Sequence, residues 1–205
     1  LAAQGTEVRV VLTIGAVGLT AQEMDAMPRL ELVCALGAGF ENIDRSHAHA
    51  RGIVVANGAG TNEDSVADHA LGLLLAAGRA IPRNDRACRD GIWRDALPLP
   101  PQVAHRRLGI VGMGSIGLKI ARRALGFDMA VGYHNRRQRD DVAYSYFDTV
   151  LALAEWADFL VVAAPGGPAT RHLVDAPVLT ARGPQGFLVN IGRGSVVDTA
   201  ALADA

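Results

Sequence analysis

Two hydrophobic rhythms run along this chain: short apolar runs of strand length, and longer stretches whose apolar residues recur at helical spacing. Val8 to Thr13 is β-branched and apolar and reads as a buried strand. Thr20 to Met27 reads as a helix, with Thr20 placed to cap it, Glu23 three residues on, and Pro28 to end it. Leu30 to Leu36 is a second strand, followed by Gly37-Ala38-Gly39; Asp44 to Arg51 is a short helix and Ile53 to Ala56 a third strand. A long helix is expected from Ser65 to Ile81, capped by Asp64 or Ser65 and stopped or kinked by Pro82. It is apolar nearly all round, which predicts burial between layers or between subunits. A second helix near Arg83 to Asp90 follows, and the Pro-rich run Leu97 to Pro101 is the clearest linker.

Beyond the linker the alternation becomes regular. Strands are expected at Leu108 to Val111, Met129 to Tyr133, Phe159 to Ala163 and Phe187 to Ile191. Helices are expected at Ser115 to Leu125, Val150 to Trp156, Asp175 to Ala181 and Asp198 to Ala205. Four apolar strands separated by helices predict an α/β fold with a parallel sheet covered on both faces.

Composition narrows the functional classes. Half of the 205 residues are apolar, 20% are charged and the net charge is −1, so a core is affordable and no field favours nucleic acid or an anionic membrane. The apolar stretch around Ala70 to Ala77 is too short to span a bilayer. The opening LAAQGTEVRVV lacks a charged leader region and an initiator Met, so the chain reads as starting inside a longer protein. Cys34 and Cys88 form no CxxC pair and read as buried free thiols, which fits a reducing, cytoplasmic compartment. No metal-ligand pattern is read.

The strand Leu108 to Val111 runs into Gly112-Met-Gly114-Ser-Ile-Gly117 and then a helix. In that setting a GxGxxG points to a dinucleotide rather than to an ordinary tight βα turn. Gly112 permits the turn, Gly114 lets a pyrophosphate approach the backbone, and Gly117 lets the helix pack close on the strand. The helix N-terminus offers N–H groups and a positive dipole end.

The next strand should end beside the adenine ribose. NAD sites usually carry an acid roughly 20 residues past the first glycine; this chain has His134-Asn135-Arg136-Arg137 there. Asn135 does not repel a 2′-phosphate, and Arg136 and Arg137 can clamp one. NADPH is therefore expected, with NADH as the alternative. The competing view is a solvated basic loop, because Arg139, Asp140 and Asp141 follow. At the end of the last strand, Arg193 stands between Gly192 and Gly194, where a guanidinium can hold a carboxylate bidentately and polarise the neighbouring keto oxygen.

NIGRGSVVD resembles the arginine motif of the D-2-hydroxyacid dehydrogenases, and GMGSIG their phosphate loop. LGAGFENID resembles their substrate-carboxylate loop, VADHALGLLLA their long interdomain helix, and VVAAPGGPATRHLV the strand and loop under the cofactor. YHNRR resembles the glyoxylate/hydroxypyruvate reductase branch. The resemblance implies a Rossmann-type NAD(P)-binding domain over 101–205, interdomain helices and linker over 61–100, and part of a flavodoxin-like substrate domain over 1–60. It implies that Arg193 orients a small 2-keto acid (hydroxypyruvate, glyoxylate or 2-ketogluconate type) while backbone N–H groups at Ala38 and Gly39 hold its carboxylate. It implies that Ser115, Ile116, Asn135, Arg136, Pro165, Thr170, Ile191, Gly192 and Arg193 itself line the cofactor, joining Gly112, Gly114, Gly117 and Arg137. The family also needs a histidine acid/base and a glutamate on later strands, and none of the six histidines fits that role by position. The chain is thus expected to be a fragment truncated at both ends, inactive alone, and part of a homodimer in full-length form. The alternative class is a non-catalytic dinucleotide-sensing protein of the same fold, resembling corepressors; relatives acting on phosphoglycerate, formate or phosphite are a weaker option.

Overall fold

Parallel pairing of short apolar strands organises both halves of the chain. The computed structural model describes residues 5–205; the first four positions of the stretch read for a leader, and of the 1–60 region, lie outside the described residues. Two compact units form, Leu1–Glu63 and Asp64–Ala205.

In the first unit β1 (Val10–Ile14), β2 (Leu32–Leu36) and β3 (Val54–Asn57) make a parallel sheet in the order β1-β2-β3, with Val11 opposite Val33 and Val33 opposite Val55. The helices α1 (Ala21–Asp25) and α2 (Arg45–Ala50) bury Met24 and Ala48 against Val33 and Ala35. Thr20 and Glu23 close a capping box at the start of α1, as their spacing predicts. The buried first strand expected from VRVVLT is half right. Successive side chains of a strand point to opposite faces, and Val10, Leu12 and Ile14 are exposed while Val11 and Thr13 turn inward.

In the second unit β4 (Arg107–Val111), β5 (Ala130–His134), β6 (Ser145–Tyr146), β7 (Phe159–Val162) and β8 (Phe187–Asn190) form an all-parallel sheet in the order β6-β5-β4-β7-β8. The sequence predicts four of these strands; β6 is the addition. One face carries Leu108, Ile110, Phe159 and Val161 against α3 (Glu63–Gly78) and α5 (Ser115–Ala124). The other carries Val111, Leu160 and Val162 against α6 (Val150–Trp156) and α7 (Ala176–Arg182). Each fully buried Leu or Ile in such a layer stabilises the fold by about 1.5–3 kcal/mol. The unit closes with α8 (Thr199–Asp204).

The long helix departs from expectation in two ways. It ends at Gly78, not Ile81; Ala80 takes a left-handed conformation and Pro82 falls in the first turn of α4 (Ile81–Arg89), where its missing N–H costs nothing. It also buries one stripe only, Ala67, Ala70, Leu71, Leu74 and Gly78, leaving Leu73 exposed. Asp64 lies inside the helix rather than ahead of it and bonds Lys119 at 2.7 Å and Arg123 at 3.1 Å, while Asp68 bonds Arg123 at 2.6 Å, pinning α3 to α5. Cys88 is exposed rather than buried, because α4 contributes no residue to a core. No helix among the described residues is long and apolar enough to cross a membrane.

Candidate functional site

A cleft of about 940 Å³ opens at the carboxyl ends of β4, β5 and β7, where open α/β sheets bind ligands. The three motif glycines differ in what they do there. Gly112 has φ +101°, and a Cβ on it would sit 2.9 Å from the backbone of Ala163 and Ala164, so only glycine fits both the turn and the approach to the end of β7. A Cβ on Gly117 would lie 2.2 Å from the carbonyl oxygen of Gly112, so this glycine sets how closely α5 packs behind the turn. A Cβ on Gly114 would meet nothing within 4 Å. Gly114 is also the N-cap of α5 and brings no capping side chain, so the open space lies in front of a helix start. Ser115 and Ile116 form the first turn of α5; its buried stripe of Gly117, Ile120, Ala121 and Ala124 holds that end in place.

The strand β5 ends at His134, whose Nδ1 donates to the carbonyl of Phe147 at 2.9 Å. The adjacent Asn135 turns its Oδ1 onto the N–H of Met113 at 2.7 Å, tying the end of β5 to the glycine turn. Arg136 and Arg137 are exposed on the wall of the same cleft. Pro165 and Thr170 form the facing wall, and Thr170 Oγ1 closes that loop by donating to Pro165 O at 2.7 Å. Seven expected cofactor residues therefore share one cleft: Gly112, Gly114, Asn135, Arg136, Arg137, Pro165 and Thr170.

Ile191, Gly192 and Arg193 lie at the end of β8, outside the lining of that cleft and beside it in strand order. A Cβ on Gly192 would sit 2.5 Å from Ala164 O, so this turn packs on the one after β7. Asn190, which sequence reasoning passed over, shapes it: its Oδ1 accepts from Gly192 N at 2.9 Å and its Nδ2 donates to Arg193 O at 3.0 Å. Arg193 itself is half-buried. Ala38 and Gly39 belong to the first unit. Their loop is held by Asn57, whose Nδ2 donates to Ala38 O at 2.8 Å, and by Gly58 N donating to Gly37 O at 2.8 Å. A Cβ on Gly15 would sit 2.3 Å from Gly39, so the two loops touch. The asparagines at the ends of β3 and β8 carry a weak sequence signal: each ends an apolar run, with glycine one residue on from Asn57 and two on from Asn190.

Comparison with known proteins gives the same outline. The family model described as D-isomer specific 2-hydroxyacid dehydrogenase, NAD binding domain, matches residues 71–205. A hydroxyphenylpyruvate reductase from Plectranthus scutellarioides is 38% identical over 206 residues, covering 100% of this chain and 66% of the relative. A 2-ketogluconate reductase from Gluconobacter oxydans is 40% identical over 199 residues, covering 97% of this chain and 64% of the relative. The chain thus spans just under two thirds of the length of these curated relatives. Among solved structures, an NADPH-dependent glyoxylate/hydroxypyruvate reductase from Sinorhizobium meliloti, in complex with NADP and malonate, superposes with a TM-score of 0.92 at 41% identity, covering 100% of this chain and 65% of the other. With sheet order, glycine turn and arginine motif in agreement with that match, the chain belongs to the D-isomer specific 2-hydroxyacid dehydrogenase family.

Proposed function

We propose that the whole protein reduces a small 2-keto acid of the hydroxypyruvate, glyoxylate or 2-ketogluconate type to the D-2-hydroxy acid, using NADPH in preference to NADH. The observation that carries this reading is a single cleft with the open glycine turn at its floor and Arg136 and Arg137 on its wall. The turn suits the group: the space a Cβ on Gly114 would fill is empty, and it faces the uncapped start of α5. Gly112, Gly114, Ser115, Ile116 and Gly117 would hold the pyrophosphate. Arg136, backed by Arg137, would hold the 2′-phosphate, a role no carboxylate in that stretch opposes before Asp140. Asn135, Pro165, Thr170, Ile191 and Gly192 would shape the rest of the cradle. When bound, the reduced nicotinamide supplies the hydride that turns the keto carbon into the alcohol carbon.

Arg193 would bind the substrate carboxylate through its fork and polarise the keto oxygen, in a turn that Asn190 keeps in shape. Ala38 and Gly39 would offer backbone N–H groups to the carboxylate from a loop that Asn57 and Gly58 hold. We further propose that the protein works as a homodimer, with no nucleic-acid or membrane partner. Support comes from the segment after α3, where Trp93 is 70% and Leu99 95% exposed.

The test is NADPH oxidation by the full-length protein with hydroxypyruvate and with glyoxylate, followed for wild type and Arg136→Ala. Turnover with a larger KM increase for NADPH than for NADH in the variant supports the reading. Equal losses for the two cofactors would show the loop to be basic surface.

A further inference from the structure

The segment Arg139-Asp140-Asp141 reads as solvated charge in the sequence, yet the Arg139 side chain is committed on both of its edges. Its Nη1 donates to the carbonyl of Met113 at 2.7 Å. Its Nε and Nη2 donate to the two carboxylate oxygens of Asp141 at 2.8 Å and 2.5 Å. Its backbone is fixed as well: Arg139 N donates to the Tyr133 hydroxyl at 2.9 Å, and that hydroxyl, on a fully buried ring, donates to Arg139 O at 3.3 Å. Met113 is the residue between the first two motif glycines. Its N–H is already held by Asn135 and its carbonyl is held by Arg139, so one short segment grips both polar groups of that residue.

The consequence follows from peptide planarity. The carbonyl of Met113 and the N–H of Gly114 belong to one trans peptide and point in opposite directions. A guanidinium that fixes the first therefore fixes the second. The bond is charge-assisted, and it polarises the peptide so that the Gly114 N–H becomes a better donor. The positive charge is meanwhile matched by Asp141, whose carboxyl the Arg139 hydrogen bonds hold below its ordinary value. Arg139 is thus placed to act on backbone, in contrast to Arg136 and Arg137, which are exposed on the cleft wall.

We propose that Arg139 is a positioning residue: through Met113 O it aims the Gly114 N–H at the pyrophosphate, and it takes no part in reading the 2′-phosphate. The proposal rests on the dinucleotide reading of the cleft. Asp141 holds the guanidinium in register, and Arg139 makes the 2′-phosphate loop and the glycine turn one mechanical unit.

The experiment uses the 205-residue chain, with Kd measured for NADPH and NADH by cofactor fluorescence and the Gly114 amide followed by ¹⁵N NMR without cofactor. Arg139→Met is expected to weaken NADPH and NADH by the same factor, about tenfold, or about 1.4 kcal/mol, and to move the Gly114 resonance. Arg139→Lys, which keeps one charged donor, should recover most of the affinity. Arg136→Ala should weaken NADPH alone and leave the Gly114 resonance in place. A loss confined to NADPH in Arg139→Met would make Arg139 a 2′-phosphate ligand and overturn the proposal. Unchanged affinities would overturn it too, as would a Gly114 resonance that stays put. If the wild-type chain binds neither dinucleotide, the dinucleotide reading falls with the aiming role, and a moved Gly114 resonance then supports only the backbone clamp.

Discussion

Two alanine substitutions in the glycine turn should separate folding from binding. In Gly117→Ala the new methyl would lie 2.2 Å from Gly112 O, and 3.1 Å from the Gly112 carbonyl carbon. Relief needs α5 to retreat from the turn by about 1 Å, an overpacking that costs about 1–3 kcal/mol. For a unit of this size each kcal/mol lowers the melting temperature by about 2–4 °C. Gly114→Ala is different. Its φ of −80° suits any residue, and its methyl meets nothing within 4 Å, so stability should move by less than about 0.5 kcal/mol. The methyl does occupy the space assigned to the pyrophosphate, and dinucleotide affinity should fall at least about tenfold, which is about 1.4 kcal/mol. Thermal melts of the cofactor-free chain and fluorescence titrations with NADPH measure the two effects. A Gly114→Ala chain that binds NADPH as tightly as wild type would mean that no phosphate approaches that backbone.

Other outcomes follow from the same geometry. In the full-length protein Arg193→Ala should raise KM for the keto acid and lower kcat, by about 10²–10³ if it polarises the reacting oxygen; steady-state kinetics with an intact NADPH Kd would separate this from loss of fold. Burial pushes the Asp158 carboxyl up, and the bonds from Arg107 more than offset this, leaving it below its ordinary 3.8. A depressed carboxyl stabilises the fold above that value and loses its contribution as pH falls through the folded pKa, so the melting-temperature gap between wild type and Asp158→Asn should be present at pH 7 and close below about pH 4. The apolar face bearing Val10, Leu12, Ile14 and Val54 should make the chain associate; sedimentation should show species larger than a monomer, reduced in Leu12→Lys, and a clean wild-type monomer would contradict this.

Much of the fold was legible because its signals are local. Buried strands of β-branched residues, the Thr20–Glu23 box and the glycine turn each declare themselves within a few residues. The strand β6 did not, because Ser145–Tyr146 is two residues long and owes its place to pairing with Gly132 and Tyr133. The end of α3 was misplaced because Pro82 draws attention as a terminator, whereas the helix stops at Gly78, where a Cβ would press on the Phe159 ring at 2.9 Å. In the site, order along the chain was enough to propose the glycines and Arg136 together, and Gly112, Gly114 and Arg136 do line one cleft. The holding groups could not. Asn135 on Met113, Arg139 on Met113 and Asn190 on Gly192 and Arg193 depend on which backbone atoms the folded chain brings within reach, and a charged run such as Arg139-Asp140-Asp141 looks the same in sequence whether it is solvated or committed.

On the proposed function, a dinucleotide lies across the carboxyl ends of β4, β5 and β7 with its phosphates on the Gly112–Gly117 turn. Backbone amide mapping of the chain during titration with NADP⁺ tests it most directly. The largest shifts are expected at Gly114, Ser115 and Ile116, with a second group at Arg136 and Arg137, and no comparable change when NAD⁺ replaces NADP⁺ at those two arginines. Shifts scattered elsewhere with the glycine turn unmoved would contradict it.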